Sequence, residues 1–401
     1  MRIVLFTASY PPRIGGVETV THRLAQELLS RGHEVEVVTH RYPRRLPARE
    51  RIDGLEVRRR IYPNLLPGPV PRSRGAVLKS LAALPIAALE VLYLCIHLLR
   101  KRPHVISAHY FSAPVAYCIL AAKFVRVPLV LSFHGSDAAT VPYPASYRWT
   151  VRVAMEAADS VIACSHNLAS YLRAGTPRRL HPKLSVAHYG VDASVLGSGD
   201  TDSDVVLLPS RLVAKKGIDV AIQAIAELRD RGLPVPLWVA GDGPLRGRLT
   251  HLVSQLDLGG QVRFLGPVPH FGLPELINRA RFVLVPSYWE AFGMIVLEAM
   301  AAGKAVVATT NGGPSEIVMD GESGLLVPAG DPIALAGAIE ALWTEPRRAA
   351  AMGRMGLDRA LSDFTWPQMA EAYESTFCEA IAARRERLPD GGRRESLGLP
   401  S

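Results

Sequence analysis

The most specific run in the chain is Glu290-Ala291-Phe292-Gly293-Met294-Ile295-Val296-Leu297-Glu298, which follows the apolar stretch Phe282 to Pro286. A short apolar stretch of this kind reads as a buried strand, so Phe292 and Gly293 open the helix behind it. The first amides of that helix can face a phosphate. Glu290 falls in the loop, and Glu298 lies about two turns on, where its carboxylate can accept hydrogen bonds from a sugar diol. Two carboxylates also suit glycoside hydrolysis, but that chemistry needs them facing each other across one bond. The second is better used for binding. A further cluster, Ser210-Arg211-Leu212-Val213-Ala214-Lys215-Lys216-Gly217, also follows an apolar run. Its planar guanidinium and compact ammonium groups can neutralise a diphosphate.

In the first half, Tyr10-Pro11-Pro12-Arg13-Ile14-Gly15-Gly16 lies between a predicted strand and a helix that runs to about Ser30. Adjacent glycines there let backbone amides approach a phosphate, although many turns use glycine only for its backbone freedom. Ser132-Phe133-His134-Gly135-Ser136-Asp137 is released at the end of an apolar strand, so His134 can meet a hydroxyl or a developing charge. Gly241-Asp242-Gly243-Pro244 reads as a structural turn. Asn311-Gly312-Gly313-Pro314-Ser315-Glu316 can place amides near a ligand.

These clusters all need strand ends to hold them. Apolar, β-branched runs recur near 2–8, 34–39, 104–108, 128–133, 160–164 and 184–187, and again near 204–209, 235–240, 261–265, 282–286, 305–308 and 324–327. Each is followed by a helical pattern, which predicts parallel, doubly wound sheets buried on both faces. At 401 residues the chain exceeds one ordinary core. Two domains are expected, 1–192 and 204–365, joined by the Ser-, Gly- and Asp-rich stretch from Asp192 to Asp204. A helix over 366–386 and a frayed tail over 387–401 complete the reading. Ligands in such sheets bind at the carboxyl ends of strands, so the active site is expected in a cleft where the two domains face each other.

Residues 1–192 carry 26 basic and 12 acidic side chains, a net +14, whereas 193–401 carry 20 and 25, a net −5. A basic first half suggests an anionic partner there. The densest part runs from Arg41 to Arg60 and includes Arg44 and Arg45. Lacking interleaved aromatic residues, it reads as a solvated or ligand-facing loop rather than a nucleic-acid surface. Residues 76–99 have the length of a membrane span, but Lys79, Pro85, Glu90 and His97 interrupt them. A buried crossover helix is expected, with a helix lying on a bilayer surface as the alternative because Arg72, Arg74, Lys79 and Arg100-Lys101-Arg102 flank it. Cys95, Cys118, Cys164 and Cys378 lie far apart with no metal spacing and read as small buried hydrophobes in a reducing compartment. The opening residues are too short an apolar run for a signal peptide, so a cytoplasmic chain is expected, peripheral on the inner face of the plasma membrane if the bilayer alternative holds.

Taken together, Gly15-Gly16, the His134 loop, Arg211 with Lys216 and the run from Glu290 to Glu298 resemble the family-four retaining glycosyltransferases. The resemblance covers nearly the whole chain, with each motif in order at a strand-to-helix turn. It implies an α/β GT-B fold of two Rossmann-like domains facing a central cleft. The N-terminal half would bind acceptor, the C-terminal half would bind a nucleotide-sugar donor, and the last helix would pack back on the first domain. Carried onto this sequence, the family pattern assigns Arg211 and Lys216 to the donor diphosphate and Glu298 to the ribose hydroxyls. Glu290 falls on the position contacting the donor sugar, and Phe292 and Gly293 on backbone beside sugar and phosphate. Gly15 and Gly16 would supply amides, His134 matches the family's catalytically important histidine, and Val268, in Gly266-Pro267-Val268, falls where the nucleobase is contacted.

The resemblance implies hexosyl transfer with retention, by front-face attack through an oxocarbenium-like state, onto a hydroxyl of a lipid, glycan or small molecule. Arg211 and Lys216 would stabilise the leaving diphosphate. No metal is expected, since Asp200-Thr201-Asp202, a DxD sequence, falls in the linker. The donor is left open among UDP-, GDP- and ADP-sugars. An anionic or lipid-linked acceptor is expected near Arg44, Arg45 and Asp137, with no nucleic acid. A nucleotide-sugar epimerase of the same architecture is the alternative. One departure is Tyr189-Gly190-Val191-Asp192, where the family usually reads Asn-Gly-Val-Asp. A hinge effect at most is expected there.

Overall fold

The computed structural model describes residues 1–13, 15–63, 83–138, 145–192, 203–269 and 272–386. The chain divides into two compact units, Met1–His188 together with the segment from Trp366, and Tyr189–Thr365. Residues 193–202 of the linker expected from Asp192 to Asp204, the tail over 387–401 and the start of the crossover helix over 76–82 lie outside the described residues.

The first unit holds an eight-stranded sheet in the order β3-β4-β2-β1-β5-β6-β7-β8. Its central strands β1 (Arg2–Thr7), β2 (Glu34–His40), β5 (Val105–His109), β6 (Leu129–Phe133), β7 (Ser160–Ala163) and β8 (Leu184–Val186) are parallel. Helices cover both faces, which is why Ile3 to Phe6 and Leu129 to Phe133 are continuous buried runs. The helices are α1 (Gly16–Ser30), α2 (Leu84–Lys101), α3 (Ala113–Val125), α4 (Ala145–Ala157) and α5 (His166–Ala174). The helix from Trp366 to Glu386, numbered α13 in chain order, packs against α1 and the β5–β7 part of the sheet.

Two strands were not expected. Arg49–Ile52 (β3) and Leu55–Arg60 (β4) form an antiparallel hairpin whose second strand adds in parallel to β2. The stretch from Arg41 to Arg60 is therefore no single solvated loop: Arg58 and Arg59 are buried, bonded to Glu36 and Glu50. The crossover helix also departs from expectation. α2 buries Ala87, Glu90, Leu94, His97 and Leu98 but leaves Leu84, Ile86, Leu89, Leu92, Ile96 and Leu99 exposed. Cys118 and Cys164 are buried as expected, whereas Cys95 is half-buried and Cys378 exposed.

The second unit is a six-stranded, wholly parallel sheet, β11-β10-β9-β12-β13-β14. Its strands are β9 (Val206–Pro209), β10 (Leu237–Ala240), β11 (Val262–Gly266), β12 (Phe282–Val285), β13 (Ala305–Thr309) and β14 (Gly324–Val327). Helices α6 (Ile218–Asp230), α7 (Arg246–Gln255), α8 (Leu273–Asn278), α9 (Met294–Ala301), α10 (Pro314–Ile317), α11 (Pro332–Thr344) and α12 (Pro346–Asp363) flank it. Leu208, Ile222, Leu237, Leu284 and Ile339 belong to its own buried core. All twelve expected strands form, each within a few residues of its predicted place.

Candidate active site

In the second unit, β9, β12 and β13 are parallel neighbours, so the loops behind them emerge at one sheet edge. Backbone bonds weld those loops together. Tyr288 N donates to the Lys215 carbonyl at 2.9 Å, Gly313 N to the Glu290 carbonyl at 2.9 Å, and Thr309 Oγ1 to the Ser287 carbonyl at 2.6 Å. On this platform Lys216 Nζ ion-pairs with Glu290, whose Oε1 also accepts from Ser287 Oγ at 2.8 Å. Lys216 ends a short 3-10 turn, Ala214–Lys216, and Gly217 follows with φ 61°. A Cβ on Gly217 would collide with the Pro286 carbonyl oxygen, so only glycine lets the cationic turn lie against the end of β12. Arg211, just after β9, is exposed.

The loop behind β12 leads into α9. Gly293 caps that helix with φ 104°, and no side chain caps its first amides. Such a helix start attracts an anion. Glu298, on the second turn, is half-buried. Burial alone pushes its carboxyl up to about 7, with no hydrogen bond or charge among the described residues offsetting the rise. Phe292 is different: its ring is 2% exposed and packs edge-on against Tyr189, 4.8 Å between centroids, and Phe364, 6.1 Å. Its side chain belongs to the core. Tyr189, the departure noted in the sequence, is thus a packing partner that anchors the start of this unit. Val268 sits in the loop after the edge strand β11, away from the central loops.

In the first unit, Gly15 and Gly16 stand where α1 begins, again with no side-chain cap. The loop before them is held by buried groups. Arg59 donates to the Pro11 carbonyl at 2.5 Å, and the buried Tyr10 hydroxyl bonds His22 Nδ1 at 2.8 Å. Sequence reasoning read the run that holds Arg59 as solvated or ligand-facing; the structure ties Arg59 to Glu50 and to the Pro11 carbonyl.

His134 follows β6. Its Nε2 lies 3.2 Å from His109 Nδ1, and His109 Nε2 lies 2.9 Å from Ser107 Oγ. Burial holds both imidazoles neutral, His134 down to about 3 and His109 well below its ordinary value. The chain Ser107-His109-His134 is therefore an uncharged hydrogen-bond relay rather than a cationic one. His109 also stacks on Tyr373 of α13, 5.7 Å between centroids. Sequence reasoning missed Ser107 and His109, although they occupy one face of β5 at the strand's period of two. Asp137 is reassigned. It is 1% exposed, and its carboxylate accepts from the amides of His134 at 3.0 Å, Gly135 at 2.8 Å and Phe111 at 3.0 Å. It shapes the loop rather than facing an acceptor. Arg44 and Arg45 are exposed in the turn before β3.

Comparison with known proteins bears on the family and the fold. Residues 14–195 match the model described as Glycosyltransferase Family 4, and residues 198–359 match Glycosyl transferases group 1. The chain is similar to a glycogen synthase of Mycobacterium tuberculosis, 27% identical with 97% of each chain covered. It is also similar to D-inositol 3-phosphate glycosyltransferase 1 of Catenulispora acidiphila, 30% identical with 93% of each covered. Among solved structures, sucrose-phosphate synthase of Thermosynechococcus elongatus shares the fold, with a TM-score of 0.74 at 22% identity, covering 96% of this chain and 100% of that one. Two parallel-sheet units of GT-B type, with family motifs at the ends of their strands, make this chain a member of the family-four glycosyltransferases.

Proposed function

We propose that the protein is a retaining hexosyltransferase that takes its sugar from a nucleotide diphosphate and places it on a hydroxyl acceptor. The observation that carries this reading is Glu298, a half-buried carboxylate with no protein partner among the described residues, on the same helix as the uncapped glycine turn. A ribose diol satisfies such a carboxylate, and the amides at Gly293 suit the attached phosphate. Arg211 and Lys216 supply the positive charge that builds an electrostatic match to the leaving diphosphate. Lys216 exchanges part of its ion pair with Glu290 for phosphate, leaving Glu290 to meet the sugar. The backbones of Phe292 and Gly293 flank sugar and phosphate, Val268 borders the base, and the Gly15-Gly16 amides add further donors.

His134, neutral and oriented by His109, donates or accepts a hydrogen bond at a sugar hydroxyl without adding charge. Front-face departure of the diphosphate and attack by the acceptor on the same side give retention. The two cations carry the leaving-group charge, so the reaction needs no metal. Arg44 and Arg45 are assigned to an anionic acceptor. The family is one of glycosyl transfer, which favours this reading over an epimerase.

Thermal-shift titration with UDP-, GDP- and ADP-sugars, in chelator, selects the donor, because a ligand bound only by the folded state raises its melting temperature. With that donor, turnover in Arg211→Ala is expected to fall about a hundredfold, the scale of losing one preorganised stabilising group. The product should keep the donor's anomeric configuration by NMR. Near-normal turnover in the variant, an inverted product, or activity abolished by chelator each overturns the corresponding part of the proposal.

A further inference from the structure

α2 is built inside out. Its inward face carries the ionisable groups: Glu90 accepts from Arg60 at 3.0 and 2.7 Å, and His97 Nε2 lies 3.0 Å from Glu36 Oε2. The Tyr93 hydroxyl accepts from Arg58 at 3.2 Å, and Lys101 reaches Glu56 at 3.0 Å. The outward face is apolar. Leu89, Leu92, Ile96 and Leu99 recur at three- and four-residue spacing and are 64%, 55%, 40% and 59% exposed. A surface helix in water shows the opposite pattern, apolar groups inward and charges outward.

The neighbouring helix extends the surface. α3 packs alongside α2, with Cys95 Sγ 4.0 Å from the Ala121 carbonyl, and Leu120 and Phe124 on either side of that contact are 48% and 73% exposed. A contiguous apolar area of this kind marks a surface with a partner. Charge identifies the partner. Arg100, Arg102, Lys123 and Arg126 are exposed at the C-terminal ends of the two helices. Neither outer face carries an acid, since Glu90 is turned inward and α3 has none. A second copy meeting this face symmetrically would bring cation against cation. An anionic lipid surface offers both things the face lacks, acyl chains for the leucines and phosphates for the rim. No helix among the described residues is long and apolar enough to cross a membrane, which leaves α2 lying in the interface.

We propose that the outer face of α2 and α3 docks the protein on anionic bilayers, with the leucine stripe and Phe124 in the acyl boundary and the helix C-terminal cations at the headgroups. The proposal stands apart from the transfer reaction, because its readout is partition alone. The test is flotation with phosphatidylcholine vesicles and with vesicles that also contain phosphatidylglycerol. The full chain is compared with the triple variant Leu89→Gln, Leu92→Gln, Phe124→Gln and with Ile333→Gln, an equally exposed residue of the second unit. The replaced side chains are all exposed, so unchanged thermal melting is expected of both variants.

The full chain should float with the anionic vesicles, less with phosphatidylcholine alone, and less again as salt is added. The triple variant should bind about tenfold more weakly or worse, with Ile333→Gln unchanged. Failure of the full chain to bind the anionic vesicles overturns the proposal, as does equal binding by the triple variant. A dimer in light scattering that the triple variant converts to monomer, without vesicle binding, assigns the face to a second copy instead.

Discussion

A carboxyl raised to about 7 by burial alone, as in Glu298, carries a signature in both stability and binding. Between its ordinary 4.5 and about 7, the folded chain holds a proton that the unfolded chain has released. Stability therefore falls as pH rises through that window, and the loss is complete above it. Glu298→Gln removes the penalty. It is expected to be more stable than the parent above about pH 7, by up to about 3 kcal/mol, with the difference vanishing below about pH 4.5 in thermal melts. If the carboxylate accepts from a sugar diol, donor binding favours its ionised form. Calorimetry near pH 6 in buffers of different ionisation enthalpy should then register proton release on binding, absent in Glu298→Gln. Binding without proton release would place the diol elsewhere. The place of Glu298, on the helix behind a strand and its loop, was legible because the strand, loop and helix signals all agree. Asp137 was not: a polar residue behind a strand looks the same in sequence whether it faces a ligand or three amides of its own loop.

At the scale of elements, the β3–β4 hairpin shows how a basic run can be structural. Leu55, Val57 and Arg59 lie on one face of β4 at the strand's period of two, and all three are fully or nearly fully buried. Composition masked that period, since an arginine takes the third apolar place and two more arginines flank it. Tertiary partners make it tolerable. Arg59 finds Glu50 and the Pro11 carbonyl, while Arg58, Glu36 and His97 form a buried cluster. Glu36 is the hinge of that cluster. Burial acts to raise its carboxyl, but bonds to His97 and Arg58 outweigh it and hold the group below its ordinary value. Its contribution is thus present above about pH 4.5 and lost as pH falls through the folded value. Glu36→Gln leaves the buried Arg58 guanidinium without its main counter-charge, and a loss of about 3–5 kcal/mol is expected in denaturant unfolding at neutral pH. A loss under about 1 kcal/mol would mean that Glu56 or solvent takes over the arginine. The same cluster makes α2 inside out, so the hairpin and the apolar outer face of α2 share one cause.

At the scale of the whole chain, the second unit is inserted into the first, which is finished only by α13. That helix brings Tyr373 and Phe377, both fully buried, against the sheet, and Tyr373 stacks on His109. Glu374 accepts from Arg31 at 2.8 Å and lies 2.5 Å from His33. Residues far apart in the chain thus complete one unit, contacts of the non-local kind that slow folding. The second unit has its own core and needs none of these groups. Truncation after Thr365 is therefore expected to unfold the first unit and spare the second. Hydrogen exchange should show β1, β5 and β6 losing protection while β9, β12 and β13 keep theirs. A milder change, Phe377→Ala, should cost about 3–5 kcal/mol in the first unit alone. Because Tyr373 packs on His109, and His109 orients His134, the same variant should slow turnover more than it weakens donor binding by the second unit. Protection of β5 that survives the truncation would show that α13 is an accessory to the first unit, and the His109 relay would then have to be held by the sheet itself.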